Sequence, residues 1–402
     1  MTGWTGPKKY LVVLLFILPT ILGLLLLSVY PMLYNVFISF TNRNATYNRA
    51  PCEEGGLAKI MDPTCWVQKE GAVLRAQPYK YKDPLFGNYT RLFEKLVSNE
   101  ALVALGKILL MLLPIVIAWF VVRQVMEKRM IGSPTGRVWG AGFLGTIVLW
   151  FLLSVGQAIS TLMDTSDFFV VMFRSVLYVI SCIPFFFLFG LILALILNSE
   201  HLRARAMWRV LLIVPWGMQA YVAALVWQFF FRTESGTINQ VLNIIGVEGP
   251  SWLQEPNLAW FAIVLVNIWM SYPFFMVVIL GALQSIPTEQ YEAADVDGAT
   301  WWDKLTSITL PLLRPAVMPA VVLSSITTFQ MFNTVWMITT GGPTRGAGKP
   351  GATELVMIYA YRQFQDQNYA RIGAFAIIIF ILLFMATLAS LRVTQITRGA
   401  YE

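Results

Sequence analysis

Side chains able to do chemistry are sparse in this 402-residue chain, and their spacing suits mechanics better than catalysis. Asp and Glu together number 22, and there is one histidine, His201. No cluster has metal-ligand spacing and no carboxylate pair is placed as general acid and base, so a membrane enzyme such as a glycosyltransferase finds no support. "GPTRGAGKP" (Gly342–Pro350) has the look of a phosphate loop, but Pro343 and Pro350 stand where that loop needs Gly and Ser or Thr. The ordered polar block is "EAADVDGATWWDKLTSITLP", Glu292–Pro311. Pro287 breaks the preceding helix, and Thr288 is expected to cap a new one. That helix is Ala-rich and acidic in its first turn. Gly298 permits the turn that ends it. Thr300 and Asp303 form a capping box for a second short helix, expected to run to Pro311. The result is a knob at the membrane surface. Ala293, Ala294 and Gly298 let another backbone approach, and Glu292 offers a carboxylate to a basic partner. The block reads either as a docking knob or as an amphipathic loop packed on its own spans.

The elements holding this block are apolar and long. The chain is 57% hydrophobic and 13% charged, against about 25% charged in an average soluble domain. The shortage of charge falls in blocks of span length, since about 20 apolar residues cross a bilayer as one helix. These blocks predict an all-α, polytopic membrane protein with about eight transmembrane helices, near 10–40, 101–122, 138–163, 170–197, 210–231, 258–283, 316–338 and 372–392. The first follows Lys8 and Lys9 like a signal peptide, but it is too long and lacks a small-residue cleavage site, so it reads as a retained helix. The third and fourth are joined only by "DTSDFF", a tight hairpin.

The net charge of +7 sits in the connections between spans, with no basic stripe interleaved with exposed aromatics, so nucleic acid is not expected as a partner. The inside set for a cytoplasmic N-terminus includes Arg123, Lys128, Arg129, Arg137, Arg203, Arg205 and Arg209. The long loop 43–100 is basic too, with Lys69 and Arg75 among its cations, but long loops count for less. The balance favours both termini inside. Cys182 lies in an apolar span and reads as a small core residue. Cys52 and Cys65 share the long first loop. They are either a disulfide, which puts the loop in an oxidising compartment, or two free thiols in a reducing one.

The spans are nearly free of Asp, Glu and His, so proton relays have no carrier. Lys107 and Arg174 lie near span ends, where long side chains can reach the interface. The intramembrane polar groups are neutral: Asn267, Ser271, Thr327, Thr328, Gln330 and Asn333. They suit a neutral hydroxylated solute better than an ion. An ion-coupled secondary carrier for a neutral solute is the alternative reading, and the missing relays argue against it.

The block at 292–311 resembles the EAA loop of ABC importer permeases: Glu-Ala-Ala, three residues, Gly, nine residues, Ile, one residue, Leu-Pro. Here these are Glu292, Ala293, Ala294, Gly298, Ile308, Leu310 and Pro311, at the family's spacing. "FGNYTRLF" (Phe86–Phe93), "NIWMSYPFFMVVILGALQSIP" (Asn267–Pro287), "MITTGGP" (Met337–Pro343) and the C-terminal "LRVTQITRGAYE" are similar to the larger, eight-span sugar permeases of the maltose type. The resemblance implies a type I importer permease core over 170–402 with its cytoplasmic coupling loop at 284–315. The first helix and external loop would occupy 1–100, and an additional hairpin 101–169. It implies a non-catalytic subunit of a bacterial or archaeal inner membrane, importing a maltodextrin-like sugar. ATP and Mg would be used in a partner ATPase dimer, so this chain needs no cofactor. A second permease and an external solute-binding protein complete the expected partners, besides membrane lipid.

By the same resemblance the seven motif residues couple to the ATPase. Alignment anchored on the motif puts the sugar contacts at Met270, Ser271 and Phe274 and at Thr327, Thr328 and Met331. Each set is spaced i, i+1, i+4, so each is expected on one helix face. Where the family's maltose-type member uses amides on the second helix, this chain has Thr328 and Met331, with Gln330 and Asn333 displaced.

Overall fold

The computed structural model describes residues 7–52, 56–66, 77–94, 99–122, 135–165, 167–199, 202–346 and 348–394. The backbone alone is described at 7–11, 135, 163, 165 and 390–394. Lys69, Arg75, Arg123, Lys128, Arg129, His201 and the segment 395–402 lie outside the described residues. Among those described, extended pairing is limited to two isolated bridges, Thr41 with Tyr81 and Arg49 with Pro78. Everything else regular is helical. Among the described residues six helices are long and apolar enough to cross a membrane, and two bent pairs raise the number to eight if each pair is one span.

The chain divides into two compact units. The first holds residues 1–95 and 360–382. In it α1 (Pro7–Leu24) passes through a π turn at Leu25–Val29 into α2 (Tyr30–Ser39). Phe16, Leu26 and Leu27 stand well exposed along this rod, as side chains in lipid do. The loop beyond it is organised: α3 (Leu57–Met61) and α4 (Gly87–Phe93) frame it. Cys52 and Cys65 are joined in a disulfide, Cα atoms 5.5 Å apart. The "FGNYTRLF" segment staples α2. The buried Asn88 amide donates to Ser39 O and Thr41 O, both at 2.7 Å. Phe86 and Tyr89 pack on Phe40. An Asn-X-Thr acceptor whose nitrogen is tied up in this way is not a surface glycosylation site.

The second unit holds 96–359 and 383–402. Here α5 (Asn99–Phe120) packs on α6 (Thr135–Leu152) and α7 (Val155–Thr165). The expected third span, 138–163, is therefore two helices. They bend by 66° where Ser154 takes a left-handed conformation, φ 49°. The centre of the unit is α8 (Asp167–Asn198) against α12 (Pro256–Leu283). Gly190 makes this crossing close. A Cβ there would sit 2.6 Å from Phe275 Cβ and 2.9 Å from Met276 N, so any side chain would force the helices apart. Tyr178, Cys182, Phe186, Ile263, Phe275 and Ile279 fill the crossing, and Cys182 is a buried free thiol.

Around that pair, α9 (Arg205–Gly217) and α10 (Ala220–Phe230) replace the expected continuous span at 210–231 and bend by 90°. Extended backbone at Met218 and Gln219 makes the corner. The short α11 (Thr237–Ile244) follows. The knob helix α13 (Thr288–Val296) leads to α14 (Trp301–Asp303). A π turn, Lys304–Thr309, then runs directly into α15 (Leu310–Phe329). The expected stop at Pro311 does not occur. Pro311 falls in the first turn of α15, and the widened turn before it spares its ring the usual clash with the carbonyl four residues back. The expected seventh span, 316–338, is corrected at its other end. It stops at Phe329, and α16 (Asn333–Thr339) resumes after a break. The last helices, α17 (Val356–Gln365) and α18 (Tyr369–Thr394), are divided between the two units.

Arg174 does not reach outward as expected of a residue near a span end. It is 6% exposed, and its guanidinium donates to Pro350 O at 3.4 Å and to Gly351 O. Two carbonyls of the 340–355 loop thus serve the charge that solvent would otherwise serve.

Candidate functional site

The knob is built by backbone rules. Gly298 has φ +76°. Ala299 N donates to Ala294 O at 2.9 Å and Gly298 N to Asp295 O at 3.1 Å, which is the Schellman pattern ending α13. Thr300 and Asp303 make the reciprocal capping box that the sequence indicates. The expected cap at Thr288 is not formed. Pro287 holds the N-cap position and Thr288 is already helical, because the fixed φ of proline pre-sets the helix entry. Two bonds clamp the arms together: Lys304 Nζ to Asp295 Oδ1 at 2.6 Å and Tyr291 Oη with Thr309 Oγ1 at 3.0 Å.

The motif residues separate into two roles. Glu292, Ala293 and Gly298 are exposed and Ala294 is half-buried. Ile308 and Leu310 are half-buried, Leu310 packs on the core of the second unit, and Pro311 lies on the outside of α15. One end of the motif therefore faces out while the other is anchored to the spans. Val296, Trp301 and Trp302 also stand exposed beside it, at 89%, 64% and 63%. The motif pattern does not include them. Their signal was open in the sequence as a Trp pair in a polar loop, since large exposed apolar groups mark contact surfaces.

The residues aligned with sugar contacts are only partly brought together. Met270, Ser271 and Phe274 lie on α12, half-buried and near its middle. Ser271 Oγ donates to the buried Asn267 Oδ1 at 3.4 Å, and Phe274 packs its ring on Trp216, centroids 6.0 Å apart. The second set does not share a face. Thr327 and Thr328 are on α15, the former exposed and the latter 2% exposed, while Met331 lies past the helix end. Thr327 spends its hydroxyl on Ser324 O and Leu323 O. Instead Thr334, at the start of α16, approaches Met270 Sδ at 4.0 Å. Trp216 and Thr334, which the structure places beside Phe274 and Met270, are not among the aligned residues because neither helix break was foreseen; the hint was Pro215-Trp216-Gly217. Both breaks, at 218–219 and 330–332, leave backbone groups without helical partners in apolar segments. Irregular backbone at such depth is tolerated where it lines a cavity or packs on protein. Among the described residues no group of three or more His, Cys, Asp or Glu is placed to hold a metal ion.

Comparisons with known proteins agree on one family. The model of the binding-protein-dependent transport system inner membrane component matches residues 163–399. A trehalose/maltose transport system permease protein of Thermococcus litoralis is 35% identical over 209 residues, covering 52% of this chain and 68% of that one. A maltose/maltodextrin transport system permease protein of Vibrio cholerae is 34% identical over 230 residues, 56% of this chain and 44% of its own length. The chain thus spans about two thirds of the first relative and under half of the second. In fold, it is similar to a chain from the crystal structure of a bacterial ABC transporter involved in the import of the acidic polysaccharide alginate, with TM-score 0.50, 22% identity, and coverage of 76% and 98%. The chain is a membrane permease and belongs to the family of binding-protein-dependent transport system inner membrane components.

Proposed function

We propose that the chain is a membrane-spanning subunit of an ATP-driven importer for a sugar of the maltose or maltodextrin class. An external binding protein delivers the solute, a second permease completes the path, and an ATPase dimer in the cytoplasm drives it. The observation that carries this reading is the knob. Glu292, Ala293 and Gly298 are presented outward, while Ile308 and Leu310 continue into a span without a break. A push on the exposed end passes through the Lys304–Asp295 and Tyr291–Thr309 clamps to the helix that runs without a break from Trp301 to Phe329. The knob then faces the cytoplasm, and so do both termini. ATP closes the ATPase dimer, the knob moves with it, and the core spans rock to open the path outward; hydrolysis resets them.

The test is gentle extraction from the native membrane with every co-purifying chain identified, then uptake after reconstitution. Recovery with an ATPase, a second permease and a sugar-binding protein, and uptake that needs ATP, is the expected result. A chain recovered alone that still transports without ATP would overturn the reading.

Within that importer, the α12 face of Met270, Ser271 and Phe274 is the sugar contact. Thr334 and the break at Met331 stand opposite, in place of a second helix face. Phe274→Ala removes an aromatic platform, a contact of about 1 kcal/mol, so the half-saturating sugar concentration rises several-fold while basal ATPase activity stays. Phe274→Tyr keeps the platform and the affinity. Unchanged saturation in Phe274→Ala would place the sugar elsewhere.

A further inference from the structure

The 340–355 loop is held firmly, and its charges have no role in the reading above. Thr339 Oγ1 and Thr353 Oγ1 are 2.6 Å apart, Thr353 Oγ1 donates to Gly342 O at 2.6 Å, and Gly351 N donates to Glu354 Oε2 at 2.8 Å. Val356 N donates to Ser175 Oγ on α8 at 2.9 Å. With Arg174 gripping Pro350 and Gly351 from beneath, the loop is fixed to the first turns of α8. Its tip carries Arg345 and Lys349, both exposed.

These side chains enclose a cup of about 130 Å³ lined by Asp164, Val170, Arg174, Arg345, Lys349 and Pro350. Three cations meet one carboxylate. Lys349 Nζ lies 3.0 Å from Asp164 Oδ1, with both groups largely in solvent. Arg345 repels Arg174 more strongly than the buried Glu354 attracts it. The cup has the charge to draw an anion and the size of one small acidic group.

Depth tells which source supplies that group. The 32 residues of α8 make a helix of about 48 Å at 1.5 Å per residue. The hydrocarbon layer is about 30 Å thick. Arg174 lies two turns from one end and so falls at the level of the lipid headgroups. Directly along the same helix, Phe173, Leu177 and Ile180 are exposed and apolar. They lie three, seven and ten residues beyond Val170 of the cup wall and so flank its face. A cationic cup at headgroup depth above an apolar strip has the two halves of a phospholipid site.

We propose that this cup binds the phosphate of a phospholipid headgroup, an anionic lipid in preference to a zwitterionic one, with an acyl chain along Phe173, Leu177 and Ile180. The test is native mass spectrometry of the purified full chain titrated with phosphatidylglycerol, with phosphatidylcholine and with inorganic phosphate, comparing wild type with Arg345→Ser, Lys349→Ser and the double variant. The two loop cations are exposed, so their loss spares the core, and thermal unfolding checks this. A headgroup-level cation is worth about fivefold in affinity. Each single variant is therefore expected to bind phosphatidylglycerol about fivefold more weakly, and the double variant about 25-fold. Phosphatidylcholine binds more weakly than phosphatidylglycerol to wild type, and inorganic phosphate does not displace the lipid. Equal lipid binding by wild type and the double variant would overturn the proposal. Displacement by inorganic phosphate at matched concentration would also overturn it, and would make the cup a free-anion site.

Discussion

Uptake by a Gly298→Asp variant is expected to fall about a hundredfold, with insertion and chain level unchanged. Gly298 sits at φ +76°, with nothing within 4 Å of where a Cβ would be. The local strain of a side chain there is about 1 kcal/mol, least for Asn and Asp, which tolerate the left-handed region. The fold therefore survives the substitution, held by the Lys304–Asp295 pair, the Tyr291–Thr309 bond and the Thr300–Asp303 box. What does not survive is docking. On the proposed coupling role the ATPase covers this face, so an added carboxylate becomes an unpaired buried charge, a cost of about 3 kcal/mol or more, and that corresponds to the hundredfold. Gly298→Asn separates charge from shape. It fits the same backbone, adds no charge, and is expected to keep a substantial part of the uptake. The measurement is ATP-dependent uptake in vesicles normalised to inserted chain. Normal uptake by Gly298→Asp would mean that the knob is not a coupling surface and packs only on its own spans.

The knob was legible in the sequence because its signals are local. A capping box needs residues three apart, a Schellman turn needs one glycine, and a span needs a run of apolar residues. The family resemblance at 292–311 rests on the same local block, and it led to the family that the comparisons give. The two helix breaks were not legible, because a lone glutamine in each, Gln219 and Gln330, is a weak signal against the apolar runs on both sides. "VPWGMQAYVAAL" (Val214–Leu225) reads as one span, although extended backbone at Met218 and Gln219 turns it by 90°. Likewise 316–338 reads as one helix, and no Pro or Gly marks the stop after Phe329. That stop moved Met331 off the expected helix face and brought Thr334 toward Met270. For Arg174 the place near a span end was legible but the partners were not: only the fold reveals the Pro350 and Gly351 carbonyls, more than 170 positions away, that receive its charge.

The organised loop of the first unit should depend on Asp62 more than on any other side chain in it. Asp62 is 0% exposed, and five donors converge on it. Tyr79 Oη donates at 2.8 Å, Tyr34 Oη at 3.0 Å, Thr64 Oγ1 at 2.7 Å, Thr64 N at 3.0 Å, and Arg43 Nη1 lies 3.1 Å away. Arg43 in turn bonds Asn48 Oδ1 at 2.7 Å and lies over the rings of Tyr79, Tyr34 and Tyr369. Asp62→Ala strands a largely buried guanidinium and two phenols at once, a loss of about 3–5 kcal/mol for the loop. The Cys52–Cys65 link limits how far the loop can unravel but supplies no acceptor. The same cluster fixes the pH dependence. Burial pushes the Asp62 carboxyl up, but the Thr64 hydroxyl and amide, the Tyr79 hydroxyl and Arg43 outweigh it and hold it below its ordinary value. A carboxyl lower in the folded than in the unfolded chain stabilises fully above the unfolded value, and loses that contribution as pH falls through the folded one. Tyr79 is pushed upward, by burial first and by Asp62 next, so its contribution is full below the ordinary phenol range and is lost only as pH rises beyond it. Protease resistance of the loop should therefore be flat through neutral pH and fall at acid pH in wild type. Asp62→Asn should show no such acid step, and Asp62→Ala should be cleaved rapidly even at neutral pH. Wild-type resistance in Asp62→Ala would mean that the disulfide and the Asn88 staple alone hold the loop.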